Sequence, residues 1–311
     1  MSIFLHKFKP GAVLRVTGED AGDYLQSQCS ADLTPSHENL ATYGLWLSRK
    51  GKVEGDGFVL RNSDEDFLII SYHCSSEALR QKIIANAIAD DVEIEDQSLL
   101  CSGISIWGEG VTHLMEKLSR PLPQQSNWTA MGTIRVFPGR RSRENGFDLV
   151  GPTEAIIPLL DEMRSLVTEQ GGCELDENEV HFARIDQRIP SIPDEIGPND
   201  LPQEGFLEKK AVSFDKGCFL GQEVMARLRS LGGVQRRLWV VKPMKTGLSA
   251  PSELFVEGRP AGLLKTRYSK GDKEIGAAML RIKYVQKAII NGISTEPNEK
   301  PSIVLLHEFN F

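Results

Sequence analysis

No stretch of the chain approaches the run of about 18 apolar residues that a membrane-spanning helix needs, and none of its 311 residues forms part of an internal repeat or a low-complexity tract. The first residues, MSIFLHKFKPGAV, lack the apolar centre of a secretory leader. Cysteine is sparse and scattered: five residues, at 29, 74, 101, 173 and 218, with no CxxC pair. That spacing writes neither a local zinc site nor a disulfide framework, and the odd number fits a reducing cytoplasm. There is no excess of positive charge either. Lys and Arg number 36 against 43 Asp and Glu, for a net charge of −7 and a pI near 5.5, which argues against a protein whose main business is a nucleic-acid backbone. The expected partners therefore exclude a membrane and direct nucleic-acid contact.

What is present is an ordinary globular composition, 40% hydrophobic and 25% charged, in a chain long enough for two or three domains. Periodicity and turn chemistry predict a strand at Val13–Val16, a helix whose face carries Ala21, Tyr24, Leu25 and Gln28, and strands at Ala41–Leu47, Val53–Leu60 and Phe67–Ser71. An amphipathic helix is predicted through Leu79, Ile83, Ile84, Ala87 and Ile88, a buried strand at Leu99–Trp107 and a helix at Val111–Leu118. A Pro-, Gln- and Ser-rich loop follows at Pro121–Trp128. Strands at Gly132–Phe137 and Phe147–Gly151 flank a basic turn, Arg140, Arg141 and Arg143, read as exposed. A long helix from about Thr153 to Gln170 and another at Glu177–Ile185 come next. The stretch from Asp186 to Gly205 is proline-rich and aperiodic, a length of loop that is usually functional or a linker. Beyond Gly232–Gly233 the texture turns all-β, with short strands at Leu238–Val241, Leu254–Val256, Ala261–Arg267, Ile275–Arg281 and Ile303–Leu306. The fold class is α+β, divided near residue 236 into a 1–236 region and a small barrel or sandwich at 237–311.

The chemistry concentrates in DKGCFLGQEVMAR, Asp215 to Arg227. Gly217 and Gly221 give backbone freedom, and the helical spacing of Val224 and Leu228 after Gly221 predicts a loop entering a helix. Such a loop presents N–H groups and the positive helix end to whatever faces it. A cysteine there, Cys218, beside Lys216 would favour the thiolate; the plain alternative is a small buried hydrophobe.

Three stretches together resemble a known family: DYLQSQCSADL (Asp23–Leu33), LSRKGKVEGDGFVLR (Leu47–Arg61), and RIDQRIPSIPDEIGPNDLPQEGFL joined to the Asp215–Arg227 string. In this order and spacing they look like the YgfZ-type folate-binding proteins, relatives of the glycine-cleavage T-protein, an aminomethyltransferase. GRPAGLLKTRYS and EIGAAMLR near the C-terminus resemble that family's terminal barrel. The resemblance implies two intertwined α/β subdomains of the aminomethyltransferase folate-binding type plus a C-terminal β-barrel, arranged around a central pocket for tetrahydrofolate. It implies a cytoplasmic, folate-binding accessory factor in the assembly or repair of iron–sulfur clusters, with cluster carriers or client enzymes as partners and an indirect effect on tRNA methylthiolation. The alternative is a folate-dependent aminomethyl or one-carbon transferase, so whether the chain is an enzyme stays open.

On that resemblance Glu204 in LPQEGF is the carboxylate expected to accept the paired N–H edge of the pterin; a solvated loop glutamate is its alternative. Gln26 or Gln28 would face the ligand, Arg227 or Arg229 would hold the acid tail, and Lys216, Gly217, Gly221, Gln222 and Glu223 would form the ligand-facing loop. Cys218 would be the working thiol, as a transient cluster ligand or in a mixed disulfide. One thiol cannot hold a cluster in the four-thiolate manner, and no intrinsic metal is expected. Two departures from the family pattern stand out. Arg188 occupies the place of a usual glycine, and GKVEGD offers Gly55 and Asp56 where the transferases carry an aspartate pair. Asp56 is the catalytic candidate if the chain is a transferase.

Overall fold

The computed structural model describes residues 2–34, 39–118, 122–123 and 126–310, with only the backbone at Leu231. The loop expected at Pro121–Trp128 thus falls partly outside the described residues. Two compact units emerge. The first comprises residues 1–50, 54–177 and 210–222; the second comprises 51–53, 178–209 and 223–311. The second unit thus takes in part of the 1–236 region as well as 237–311.

In chain order the first unit carries β1 (Phe4–Phe8), β2 (Ala12–Thr17), α1 (Ala21–Gln28), β3 (Ala41–Leu47), all but the first residue of β4 (Val53–Arg61), β5 (Asp66–Ser71), α2 (Ser76–Ile84), β6 (Glu93–Asp96), β7 (Cys101–Trp107), α3 (Val111–Lys117), β8 (Thr129–Met131), β9 (Ile134–Pro138), β10 (Gly146–Pro152), α4 (Thr153–Glu169) and β11 (Cys173–Glu174). They build a six-stranded sheet in the order β11-β1-β7-β10-β9-β8 and a five-stranded sheet in the order β3-β4-β5-β2-β6. Every residue of β7 is buried, as a strand flanked on both sides requires. Its Ile104 and Ile106 join Leu5, Leu149, Leu114, Ile156, Leu160 and Met163 in a core under α3 and α4. A second core gathers aromatic rings from both sheets, with the Phe58 and Phe137 centroids 4.9 Å apart. Helix α2 begins at a Ser75 cap whose hydroxyl accepts the Ala78 N–H. It ends at Ile84, short of the predicted Ile88. Ile88 is 95% exposed, so the apolar periodicity outran the helix.

The second unit contains most of α5 (Glu177–Asp186), a 3₁₀ turn at Pro202–Gly205, most of α7 (Gln222–Leu231), β12 (Arg236–Pro243), β13 (Ser252–Val256), β14 (Arg259–Lys270), β15 (Lys273–Arg281), α8 (Ile282–Asn291) and β16 (Ile303–Glu308). A short helix, α6 (Glu208–Ala211), straddles the two units. The strands form one antiparallel sheet in the order β13-β14-β15-β12-β16. The expected closed barrel is not found among the described residues. The physical reason is α8, which the sequence reading missed. Its Val285 and Ala288 pack into the core formed by Val241, Leu254, Leu264, Ala278, Leu280 and Ile303. A helix covers the apolar face that a barrel would close on itself. Among the described residues, no helix is long and apolar enough to cross a membrane.

The Asp186–Gly205 stretch is held by three buried acids, all within the second unit. Glu195 accepts from Arg184, the Ser191 N–H and Thr266. Asp200 accepts from Lys265, Arg236 and the Gly197 N–H. Glu204 accepts from Arg236 and the Leu201 N–H. With little periodic structure of its own, this loop satisfies its backbone through side chains.

Candidate functional site

In the first unit, the two motif stretches that lie furthest apart in sequence meet. Residues 210–222 run along the C-terminal end of α1, with Ser213 N–H bonded to Ser30 O and Leu220 N–H to Ser27 O. The Lys216 ammonium donates to the carbonyls of Gln26, Cys29 and Ala31 at 2.6, 2.9 and 2.7 Å. A cation on the last carbonyls of a helix is favourable both as a cap and against the helix dipole. Burial outweighs its anionic neighbours and lowers the Lys216 pKa. With its three donors committed to carbonyls, Lys216 serves as an anchor for the loop.

The loop that Lys216 pins carries Cys218 at an exposed position. The Gln222 Nε2 lies 3.8 Å from its Sγ, while the Gln222 Oε1 accepts the Phe219 N–H at 2.9 Å. Gly221 turns the chain into α7 with φ +86°, a backbone state that a side chain resists. Gly217 is exposed, with open space where a Cβ would stand. Gln26 is spent locally: it donates to Asp32 at 2.8 Å and accepts the Leu33 N–H at 2.8 Å. Gln28 is buried and joined to Asn86. Glu223 and Arg227 are exposed on α7, in the second unit.

Asp56 on β4 sits in a buried polar cluster of the first unit. It accepts from Tyr43 at 2.7 Å, Ser71 at 3.2 Å and Cys74 Sγ at 3.3 Å. Arg140 stands 3.9 Å away, donating to the Tyr43 hydroxyl at 2.8 Å with its guanidinium stacked over the Tyr43 ring. Burial raises the Asp56 pKa, more than Arg140 and the three donors lower it. Burial together with the Asp56 charge pushes the Cys74 thiol up to about 12. Glu54 is drawn off to Lys82 at 3.0 Å.

The basic turn is exposed only in part: Arg143 is exposed as expected, Arg140 is half-buried and Arg141 is buried. Arg141 is 4% exposed, stacked on Phe8 and Tyr72 and bonded to Ser105 at 3.0 Å. Tyr72 and Ser105 in turn donate to the buried Asp148. A run of arginines reads as solvated from sequence alone, but two aromatic rings give this guanidinium a buried berth. Tyr43, Cys74 and Arg140 were missed as partners of Asp56, because alternation in β3 gives Tyr43 no mark of its role.

In the second unit, Glu204 is buried and lies on the wall of a cavity of about 860 Å³. Leu201, Leu228, Val234 and Ile282 supply apolar wall, and Lys52, Arg236, Arg281 and Lys283 supply positive charge. Arg236 takes both Glu204 oxygens at 2.9 Å, and the Leu201 N–H takes one of them at 2.8 Å. A carboxylate has about four acceptor positions, so one remains for a ligand. Lys52 donates to Asn199 O at 3.0 Å. Nothing in the sequence singled out Arg236, Arg281 or Lys283.

Residues 10–216 match the model of the GCVT N-terminal domain. The chain is 24% identical over 310 residues to the aminomethyltransferase of Caldanaerobacter subterraneus subsp. tengcongensis, covering 95% of this chain and 81% of that protein. It is 29% identical over 265 residues to the mitochondrial iron–sulfur cluster assembly factor IBA57 homolog of Cryptococcus neoformans var. neoformans serotype D, covering 78% of this chain and 68% of that one. Its fold is similar to the glycine cleavage system aminomethyltransferase T from Bartonella henselae, with a TM-score of 0.80 at 15% identity, over 98% of this chain and 85% of that one. With the family model spanning most of the chain, this protein belongs to the GCVT N-terminal domain family.

Proposed function

We propose that this protein is a folate-binding accessory factor for iron–sulfur proteins, acting in a reducing cytoplasm, with Cys218 as its working thiol and tRNA methylthiolation affected indirectly through a client enzyme. The observation that carries the reading is the exposed Cys218 on a loop tied down by Lys216. An accessible thiol at a fixed position suits transient ligation of a cluster in passage, or a mixed disulfide with a carrier. The likeness to the IBA57 homolog supports the same role.

Tetrahydrofolate, a flat ring system with an acid tail, fits the second unit's cavity in size, apolar wall and charge. Glu204 would receive one pterin N–H at its remaining acceptor position, and the apolar side chains would flank the ring. Bound folate would supply a one-carbon carrier.

The test is a Cys218→Ala strain assayed for cluster-dependent enzymes. Loss of their activity, with the variant folded and abundant, is expected; full activity would remove the thiol from the proposal. Calorimetry with tetrahydrofolate, wild type against Glu204→Ala, tests the ligand in the same protein.

A second reading, a one-carbon transferase, is favoured by the Asp56 cluster. A carboxyl whose pKa burial raises is suited to taking up and returning a proton, and Tyr43, Ser71 and Arg140 fix its orientation. Turnover of methylene-tetrahydrofolate with an amine donor, abolished in Asp56→Asn, would establish it. Absence of turnover with every amine tried would leave the accessory role alone.

A further inference from the structure

The first unit also holds a cavity, of about 380 Å³, lined by none of the residues of the Cys218 loop or the Asp56 cluster. Met131, Gly132 and Ile134 of the β8–β9 hairpin wall one side, and Ala155, Pro158, Leu159 and Glu162 wall the other. The second set recurs at i, i+3, i+4 and i+7, and so shares one face of α4. The strand β8 is the terminal one of the six-stranded sheet. Met131 and Ile134 pair across a two-residue turn, the closing hydrogen-bonded pair of a hairpin. Alternation therefore sends the Ala130 N–H and C=O to the outer edge. Trp128, two residues earlier on that edge, gives its N–H to Asn39 O. Among the described residues, nothing pairs with the edge at Ala130.

We infer that β8 and α4 form a docking groove for an extended, basic segment of a partner protein, which adds as a strand to the β8 edge and sets apolar and cationic side chains into the cavity. In strand addition the main-chain bonds hold the segment, and pockets select its alternate side chains. A residue paired with Ala130 shares the face of Ala130, so the residues before and after it turn to the Met131 face, where the cavity lies. Met131, Ile134, Ala155 and Leu159 give that face an apolar seat. The charge of α4 decides the sign of the rest. It displays Glu154, Asp161, Glu162 and Glu169 to solvent and carries one base, Arg164, itself bonded to Asp161 and Glu174. Pro158 inside α4 has no N–H for the Glu154 carbonyl, so a backbone acceptor beside the Ala155–Pro158 wall lacks its helical donor. Apolar seat, outward amide and acidic helix together fit a strand that alternates leucine-like residues with lysine or arginine on one face.

The experiment measures fluorescence anisotropy of a labelled synthetic peptide, Gly-Ser-Thr-Leu-Thr-Lys-Thr-Leu-Thr-Ser-Gly, with the full-length protein. Its leucines and lysine share one face of a strand and its threonines the other. Two further peptides carry glutamate for the lysine, or N-methyl groups on the two central threonines. Wild type is expected to bind the first peptide roughly tenfold more tightly than either of the others. Glu162→Lys should reverse the preference between the lysine and glutamate peptides. Ala130→Pro, which an outward-facing edge position tolerates, should bind the first peptide no better than wild type binds the N-methylated one. Melting temperatures of both variants are measured alongside. No binding of the first peptide at about 1 mM, or equal binding of the lysine and glutamate peptides, overturns the proposal. Binding that ignores N-methylation but responds to Glu162→Lys overturns strand addition and leaves a pocket for a small cation. Self-association of wild type in sedimentation, lost in Ala130→Pro, would assign the edge to a second copy of the chain and overturn the partner segment.

Discussion

The Arg236 guanidinium grips the Glu204 carboxylate in two hydrogen bonds of 2.9 Å, Nε to one oxygen and Nη2 to the other. The same Nη2 also reaches Asp200 at 3.2 Å and the Asn199 carbonyl at 3.0 Å. One side chain therefore closes the end of the Asp186–Gly205 loop onto β12. Arg236→Ala would leave Glu204 buried without its cation and Asp200 with Lys265 and the Gly197 N–H. Urea unfolding is expected to show a loss of about 2–4 kcal/mol, toward the lower end because Arg236 itself is partly exposed. The Arg236→Ala/Glu204→Gln double variant should lose less than the sum of the two single changes, since both remove one interaction. Strict additivity would mean that the pair does not stabilise the loop.

How far these features could be read from the chain divides along a physical line. The local signals were legible: Gly221 as the entrance to α7, the buried face Ala21–Tyr24–Leu25–Gln28 of α1, and the burial of β7 from Cys101 onward, though not of Leu99 and Leu100 before it, all follow from spacing and backbone preference. What escaped was set by partners far off in sequence. Lys216 looked like an activator of its neighbour Cys218, but its donors go to carbonyls almost two hundred residues earlier. Arg141 looked solvated because nothing local predicts that Phe8 and Tyr72 will enclose it. Helix α8 was lost in the β texture around it, although Val285 and Ala288 at i and i+3 carry the pattern of a buried stripe.

Exposure sorts the five thiols. Cys173 and Cys218 are exposed, whereas Cys29, Cys74 and Cys101 are buried. Burial raises the pKa of all three buried thiols, with Cys74 reaching about 12. Because the thiolate is the reactive form, a chromogenic disulfide reagent at pH 7.5 should titrate two thiols in the native protein and all five in denaturant. Cys218→Ser should reduce the native count to one. Lys216→Met removes the anchor of the Cys218 loop and is expected to cost about 1–3 kcal/mol. It should also speed proteolysis within residues 212–222 without exposing Cys74. A native count of three or more in wild type would contradict the burial pattern.

Two buried acids make opposite predictions for pH. Burial holds the Asp56 pKa above its ordinary 3.8. Its contribution to stability is therefore complete below that ordinary value and is lost as pH rises through the raised one. Asp56→Asn cannot ionise, so its stability relative to wild type should improve between pH 4 and pH 8. At Glu195, burial pushes upward, but the charge and hydrogen bonds of Arg184 prevail and hold the pKa below 4.5. That contribution is present above 4.5 and disappears as pH falls through the lowered value. Glu195→Gln strands a buried guanidinium and should cost about 3–5 kcal/mol at pH 7, with the deficit shrinking in acid. Denaturant melts of both variants and wild type at pH 4, 6 and 8 check the signs together. Parallel curves for either variant would show that its carboxyl titrates alike in the folded and unfolded chains.

Arg188, which the resemblance sets where a glycine is usual, ends α5 in the left-handed region at φ +61°. The surrounding bonds explain why. The Ile189 N–H reaches back to Arg184 O at 2.9 Å and the Arg188 N–H to Ile185 O at 2.8 Å, the paired closure of a Schellman cap, whose turning residue favours glycine. An arginine in this state bears steric strain of roughly 1–2 kcal/mol. Glycine would relieve that strain but adds freedom to the unfolded chain worth about 0.5–1 kcal/mol. The strain is the larger of the two, so Arg188→Gly is expected to stabilise the protein by up to about 1 kcal/mol. Arg188→Ala keeps both the Cβ and its strain and should gain nothing. Calorimetric melting of the three proteins separates backbone from charge. If the alanine variant rises as much as the glycine variant, the arginine's charge is the liability and not its φ.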